Sequence, residues 1–326
     1  LLREIYLNSK IYDKKISSKE NKSLIYKPSL SILSSIVKYD KKKNKIEDFE
    51  TEKIWDFKKI NQKDLKKLNN FFWLFSIDLK SSKNISISII DNWIERNQRF
   101  NRKLWDIDIL SKRIISWLSN SQLIYDEGSE EYKKKFNNLV FKQINHLINE
   151  INKSRNYNDK LIGCTAVILV GLAYNHENFL DYGLNLLKKI INSSFDSEYF
   201  PKSRSIRQLV FYIKYFILIR ELIRDSSNEI PDYLDEIIFH LGKGYNFVWG
   251  SHKQSLLFNG NNVSNLEEFD KYLVQQKYSF KNTKTDLGGY GVLKNRNFLL
   301  AMDVGNSPEN KFIENYQSGP LSFEVI

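Results

Sequence analysis

The chain has 326 residues, of which 41% are hydrophobic, 14% aromatic and 27% charged, with 5 Pro, 13 Gly and 1 Cys. These values exclude disordered, collagen-like and disulfide-stapled chains. Lys plus Arg exceed Asp plus Glu by 50 to 39, a net charge of +11. No zinc-finger spacing, RNP-like aromatic motif or basic zipper accompanies the excess, so nucleic acid is not an expected partner.

The basic pieces are dispersed. Lys41-Lys42-Lys43, Lys66-Lys67 and Lys133-Lys134-Lys135 lie on separate segments with acids nearby. The chain is also rich in Ile, Asn and Lys, the residues of A/T-rich codons. A solvated surface is therefore expected, with a focused anion-binding face as the alternative. At roughly 150 residues per domain the length suggests about two domains.

In chain order, residues 1–60 read as an N-terminal extension, irregular and partly strand. Residues 61–250 carry apolar residues at three- and four-residue steps and read as a helical domain. One stripe is Ile107, Leu110, Ile114, Trp117 and Leu118; a second is Phe136, Val140, Ile144, Leu147 and Ile151. Phe179, Leu184, Leu187 and Ile191 form a third, and Ile206, Leu209, Val210, Ile213, Phe216 and Ile217 a fourth. A fifth runs from Leu234 to Val248, just after Pro231, a residue suited to a first helical turn. Ile85, Ile87 and Ile89 alternate like a strand, yet Ile89, Ile90, Trp93 and Ile94 fit a helix better. Short polar connectors such as Asp126-Glu127-Gly128-Ser129 and Ser226-Ser227-Asn228 imply paired helices.

After about residue 250 the pattern changes. Gly288-Gly289-Tyr290-Gly291 leads into Val292-Leu293, a Lys294-Asn295-Arg296-Asn297 turn and Phe298 to Met302, which predicts a β-hairpin. Gly305 and Gly319-Pro320 precede a last apolar strand from Leu321 to Ile326. Helices first and strands second predict a segregated α+β fold. The only methionine is Met302 and the chain stops in strand-like sequence, so it reads as a fragment of a longer protein. The longest apolar runs are too short for the ~20 residues of a membrane-spanning helix.

Spacing alone identifies no catalytic constellation. His146, His176, His240 and His252 show no metal-ligand spacing, so no metal and no cofactor is expected from the residues. Cys164, inside an apolar run, reads as a small buried hydrophobe. No G-x-S-x-G elbow or Walker loop occurs, and the 288–291 glycines precede a strand, so they read as a turn.

Several patterns together resemble the heparinase II/III-like polysaccharide lyases. They are Phe71 to Phe75 with Asp78-Leu79-Lys80, Asp91-Asn92-Trp93-Ile94, and Trp105 followed by Ser111 to Leu118. Further on, Ala166 to Leu172, Leu257-Phe258-Asn259-Gly260, Met302-Asp303-Val304-Gly305 and Gly319 to Glu324 resemble landmarks leading into that family's β-sandwich. The resemblance runs from about residue 60 to the end and rests on many weak matches. It implies an incomplete α/α toroid of paired helices over 61–250, followed by the start of an antiparallel β-sandwich over 251–326.

The resemblance also implies an activity. Characterised relatives cleave uronic-acid polysaccharides by β-elimination, in which an amide or His neutralises the uronate carboxylate and Tyr and His move protons. The family's Asn-His pair falls on Asn158-Asp159, so the Asn is kept and the His is not. Its catalytic Tyr falls on Gln208, and the His of its sandwich-edge motif on Gln317. A Gln amide cannot abstract a proton. Substitutes close in sequence are Tyr199, Tyr212 and Tyr316, with Arg204 as a carboxylate clamp. Asn158, Tyr316 and Tyr199 are thus the catalytic candidates, and Arg204, Gln208, Gln317 and Tyr212 the substrate-binding ones. The four substitutes have structural alternatives: Tyr212 packing in a helix, Tyr199 and Tyr316 sealing a junction, Arg204 capping or pairing.

Two functions follow: a protein acting on or binding an anionic, uronate-containing polysaccharide, or a non-catalytic polysaccharide-binding or envelope-assembly protein on the same fold. The partner in either case is an acidic polysaccharide; the residues leave the compartment open, and the resemblance favours the periplasm or cell envelope. Metal ligands of some relatives come from the sandwich beyond residue 326, which leaves metal content open, as is oligomeric state.

Overall fold

The structure is a computed structural model that describes residues 2–17, 22–37, 55, 60–80, 82–249, 255–261, 266–295, 298–317 and 321–325. Two compact units divide the chain: Leu1–Leu33 with Val37–Leu187, and Ser34–Ile36 with Lys188–Ile326.

The first unit is helical. Its helices are α1 (Leu2–Leu7), α2 (Lys10–Ile16), α3 (Gln62–Asn69), α4 (Lys83–Arg96), α5 (Ile107–Ser119), α6 (Ser121–Ile124), α7 (Glu130–Glu150), α8 (Tyr157–Ala173) and the larger part of α9 (Glu177–Ser194). Side-chain caps explain several starts. Asn61, Asp106, Ser129 and Asn156 each accept from backbone N–H groups in the first turn that follows, satisfying donors that have no helical partner. In α8 every residue from Leu161 to Ala173 is buried, as expected of a helix apolar on all sides, and α5 packs against it. Gly171 lets α9 approach, since a Cβ there would lie 2.6 Å from the backbone N of Leu180.

The 1–60 stretch, expected to be irregular and partly strand, is helical in α1 and α2 and holds no strand among the described residues. Ser9 caps α2 by accepting from Tyr12 N, and Tyr12 and Ile16 are buried. Tyr12 Oη meets His146 Nδ1 on α7 at 2.8 Å, and Asn145 donates to Ile16 O. These contacts are long-range, so local patterning does not reveal them. The Lys41 to Lys43 run lies outside the described residues.

Among the described residues of this unit, Arg113 is a wholly buried cation. Arg113 donates to Asn69 O at 2.9 Å, Leu104 O at 3.1 Å and Gln143 Oε1 at 3.3 Å, and sits over the Trp93 ring at 4.3 Å. None of these partners is a carboxylate. Burial without one pulls the guanidinium down to about 9.

The second unit contains α10 (Ile206–Asp225), α11 (Asp232–Trp249), α12 (Glu267–Gln275) and the strands β1 (Asp286–Leu287), β2 (Tyr290–Lys294), β3 (Leu299–Asp303) and β4 (Phe323–Val325). The sheet is an antiparallel meander in sequence order. Val292 faces Ala301 and Met302 faces Phe323 in its register. The expected hairpin is present, with Arg296 and Asn297 of its turn outside the described residues, as are Gly319-Pro320 and Ile326.

Tyr290, Val292, Leu299, Ala301 and Asp303 are buried on one face of the sheet. The other face carries Leu293, Phe323 and Val325, all exposed, an apolar surface of the kind a second sheet would cover.

Helix α12 departs from the expected all-β character of 251–326. Phe269, Tyr272 and Leu273 give it a buried stripe, and three acids occupy its first turn. Asp270 anchors it by accepting from Tyr245 Oη at 2.6 Å and Trp249 Nε1 at 2.8 Å, both on α11. The α+β class, helices followed by the start of an antiparallel sheet, is as expected.

Candidate functional site

The candidate residues of the second unit gather around the start of α10. Phe195 and Pro201 form an isolated antiparallel bridge, and Asp196 closes the turn between them by accepting from Glu198 N and Phe200 N. Tyr199 and Arg204 both have left-handed backbones, with φ of 60° and 55°. Ser205 then caps α10 by accepting from Gln208 N at 3.2 Å, and the Ser203 hydroxyl donates to Gln208 Oε1.

Arg204 is the hub of this region. Its Nε donates to Gly288 O at 3.1 Å, Nη1 to Asn306 O at 2.9 Å and to Tyr316 Oη at 3.5 Å, and Nη2 to Gly289 O at 2.9 Å and Asp303 Oδ1 at 2.5 Å. A guanidinium has five N–H donors, so the set is fully used within the protein. Clamping a substrate carboxylate would require surrendering some of these bonds. The backbone is held as tightly, for Arg204 O accepts from Tyr290 Oη at 2.6 Å and from Asn259 Nδ2 at 3.4 Å.

Glycines make room for that hub. Gly289, at φ 80°, would place a Cβ 2.7 Å from Arg204 Nη2, and a Cβ on Gly305 would lie 2.7 Å from Gly289 Cα. Phe258 stacks on Tyr290 with centroids 5.3 Å apart, and the guanidinium lies 4.9 Å from the Tyr290 ring centre. Burial pushes the Tyr290 phenol well above its usual range. Three sequence landmarks, Leu257 to Gly260, Gly288 to Gly291 and Met302 to Gly305, therefore meet at one arginine. Asp303, Tyr290 and Asn259 are not among the site residues expected from sequence; a Gly next to Asn259 and Tyr290, and two residues after Asp303, was the available signal.

The other candidates divide. Tyr316, half-buried after a 3-10 turn over Asn310–Asn315, lies beside Arg204. Gln317 follows with its amide against Gly260, 2.8 to 2.9 Å from where a Cβ would stand. Tyr199 instead donates to Glu236 Oε1 at 3.0 Å and stacks on His240 at 4.1 Å. Tyr212 is 1% exposed, packed between Phe195 and Phe216. Asn158 belongs to the first unit, in the first turn of α8, where its backbone N–H donates to Asn156 Oδ1 at 2.9 Å.

Among the described residues no group of three or more His, Cys, Asp or Glu could hold a metal ion. His146 is buried against Tyr12, His176 stacks on Phe179 at 3.8 Å, and His252 lies outside the described residues. Cys164 is buried, its Sγ donating to Gly183 O at 3.1 Å. No described helix is long and apolar enough to cross a membrane.

No family model and no curated relative matches the chain. Two solved structures share its fold. One is the heparan sulfate lyase HepC from Pedobacter heparinus, at a TM-score of 0.62 and 11% identity, covering 84% of this chain and 49% of that one. The other is heparinase III, at a TM-score of 0.56 and 13% identity, covering 97% of this chain and 60% of that one. The chain thus has a heparinase-like fold, a helical toroid followed by the start of a sheet, and spans between half and three-fifths of the length of these two proteins. At such identities the likeness is one of fold.

Proposed function

We propose that this protein recognises an anionic, uronate-containing polysaccharide and, where catalytic, cleaves it by β-elimination. The observation that carries this reading is the fold held in common with a heparan sulfate lyase and with heparinase III. In the elimination, a base takes the proton from C5 of the uronate, the electron pair forms the C4–C5 double bond, and the C4–O bond breaks with a proton passing to the leaving oxygen. The Asn158 amide is the donor to the uronate carboxylate, and Tyr316 is the proton-transfer group. Tyr199, Gln208, Gln317, Arg204 and Tyr212 complete the proposed set, Arg204 and Tyr212 acting by holding the region together rather than by meeting the polymer. On the same reading residues 1–60 are an extension, 61–250 the toroid and 251–326 the opening of a β-sandwich, for which the exposed apolar sheet face speaks. The proposed compartment is the periplasm or cell envelope.

A second reading, a polysaccharide-binding or envelope-assembly protein without catalysis, is favoured by one specific observation. Gln208, where the resemblance expects the catalytic Tyr, accepts a hydrogen bond from Ser203, and Gln317 stands for the expected His. The test is to incubate the full chain with a panel of uronate polysaccharides and follow the ultraviolet absorbance of the unsaturated uronate product. Asn158→Ala and Tyr316→Phe run alongside. Absorbance that rises with one polymer and is lost in both variants supports the lyase. Binding without any rise supports the second reading, and neither binding nor turnover with any acidic polymer overturns both.

A further inference from the structure

The first unit contains a cavity of about 760 Å³ whose wall gathers cations from two separate segments. Lys66 comes from α3, Arg102 and Lys103 from the stretch that precedes α5, and Phe100 adds a ring. Two carboxylates, Glu4 and Asp106, stand among them. Asp106 is in part committed, since its Oδ1 caps α5 by accepting from Asp108 N at 3.2 Å. Among the described residues no carboxylate forms an ion pair with Lys66 or Lys103, although Lys66 lies near enough to Asp159 of α8 to favour its charged form. The basic residues that are dispersed along the sequence thus have a focus here, in a volume that accommodates a small ligand or a short stretch of a polymer.

Arg102 differs from the two lysines: its Nη1 donates to Glu4 Oε2 on α1 at 3.2 Å. That carboxylate belongs to a weakly anchored helix. No residue of α1 is buried, and Leu2, Ile5 and Tyr6 are exposed. Apart from the Glu4 pair, α1 is held by an ion pair of Arg3 with Glu150 and by Tyr6, whose ring meets that of Tyr12 edge-on at 5.2 Å. Glu150 also pairs with Lys153 at 2.7 Å, so it keeps a partner when Arg3 leaves. The Glu4–Arg102 pair is exposed on both sides and contributes little, and a helix held in this way opens at low cost. Ser9, in an extended conformation, caps α2 behind it, so the chain can pivot there while Tyr12 stays buried.

We propose that Lys66, Arg102 and Lys103 form a subsite for an acidic polysaccharide, and that α1 is a strap whose Glu4 occupies Arg102 until an acid group of the ligand displaces it. The chemical class of the ligand rests on the polysaccharide reading above; the place of the subsite and the strap come from the charges. With Glu4 docked the lining carries three cations against two carboxylates, and with α1 lifted three against one. A guanidinium released from Glu4 can hold a carboxylate by two parallel bonds, and the ammonium groups add attraction without fixing its orientation. A second cavity, of about 440 Å³, shares Glu4, Phe100, Arg102 and Asp106 with this one and reaches Asp159, next in sequence to Asn158. Arg3, Glu4 and Leu7 of α1 line that cavity too, so the strap also covers the way from the subsite towards the first turn of α8.

The experiment titrates the full chain by calorimetry with oligogalacturonate, oligoalginate and a heparan sulfate oligosaccharide, with dextran sulfate as an acidic polymer lacking uronate. Amide hydrogen exchange of residues 2–9 is followed in parallel. Arg102→Gln is expected to weaken binding about 5- to 10-fold, and Lys66→Gln and Lys103→Gln about 2- to 3-fold each. Glu4→Gln and Arg3→Gln are expected to strengthen it about 2- to 5-fold and to speed exchange in α1. Arg3→Gln is the sharper of the two, because it removes a positive charge, which through its field alone would weaken the binding of an anion. All five side chains are exposed, and circular dichroism checks that each variant keeps the fold. Uronate binding that is equal in the parent and in the Lys66, Arg102 and Lys103 variants overturns the subsite and leaves the uronate reading standing. Unchanged or weaker binding in both Arg3→Gln and Glu4→Gln overturns the strap. Variant-sensitive binding of dextran sulfate, with no affinity for any uronate oligomer, sustains the subsite and overturns the uronate reading instead. No binding of any of the four by the parent or by either strap variant overturns both.

Discussion

Arg204 and Asp303, 99 positions apart in the chain, form a buried ion pair at 2.5 Å that ties the start of α10 to the end of β3. The remaining donors of the arginine go to backbone carbonyls and a phenol, so the pair is embedded in a satisfied network rather than standing alone.

Arg204→Lys should therefore be far from conservative. A lysine has three rotatable donors in place of a planar five-donor fork, so at least two acceptors and the geometry at Asp303 are lost. The charge beside Asp303 is kept, so the loss comes from the buried acceptors left without donors, and we expect about 2–4 kcal/mol in urea unfolding. A loss under about 1 kcal/mol would show that the network contributes little.

The glycines around Arg204 give a sharper comparison. Gly289→Ala must adopt a left-handed backbone and push a methyl into the guanidinium, and should cost at least about 2 kcal/mol. Gly291, two residues on in β2, has its nearest neighbour at 3.9 Å from a would-be Cβ and no positive φ. Gly291→Ala should fall within about 0.5 kcal/mol of the parent. Equal effects at the two positions would rule out the close-approach explanation.

Acid should destabilise the first unit through His146. Burial lowers this imidazole from 6.5 to about 4, so the folded state holds it neutral while the unfolded chain protonates it near 6.5. Its contribution is complete above pH 6.5 and is lost as pH falls to 4, up to about 3 kcal/mol. Asp159 runs the other way: its folded value is raised, so its contribution is present below about pH 4 and lost as pH rises through 6. Being partly solvated, it counts for less, about 1 kcal/mol. The net expectation is a fall in urea midpoint between pH 6.5 and 4.5 that is reduced in His146→Asn. A parallel fall in both proteins would assign the acid sensitivity elsewhere.

Cys164 should be silent to thiol reagents in the native state. Burial drives its thiol far above the usual range, and no thiolate forms at neutral pH. Labelling by a chromogenic disulfide is expected only at the rate of unfolding, and rapid stoichiometric reaction would contradict the packing.

Much of the helical part was legible. The stripes at Ile107 to Leu118 and Ile206 to Ile217 became α5 and α10, because a period of 3.6 is written into neighbours three and four apart. The hairpin was legible from its Gly punctuation. Helix α12 was not, since its three-residue stripe is short and its hold comes from Tyr245 and Trp249, more than twenty positions earlier. Among the site candidates, the nearness of Tyr316 to Arg204 spans 112 positions, and the burial of Tyr212 depends on Phe195 and Phe216.

The sequence by itself determined the helices from α3 to α11 and the hairpin of β2 and β3, because hydrophobic period and turn chemistry act within a few residues; α1, α2 and α12 were settled by packing. Only the tertiary structure decided what Arg204 does. Read alone, it is a free guanidinium suited to a carboxylate; in the fold, Gly288, Gly289, Asp303, Asn306 and Tyr316 take all five of its donors. Whether a donor is spent or available depends on acceptors brought from 84 to 112 residues away, and no local pattern carries that information.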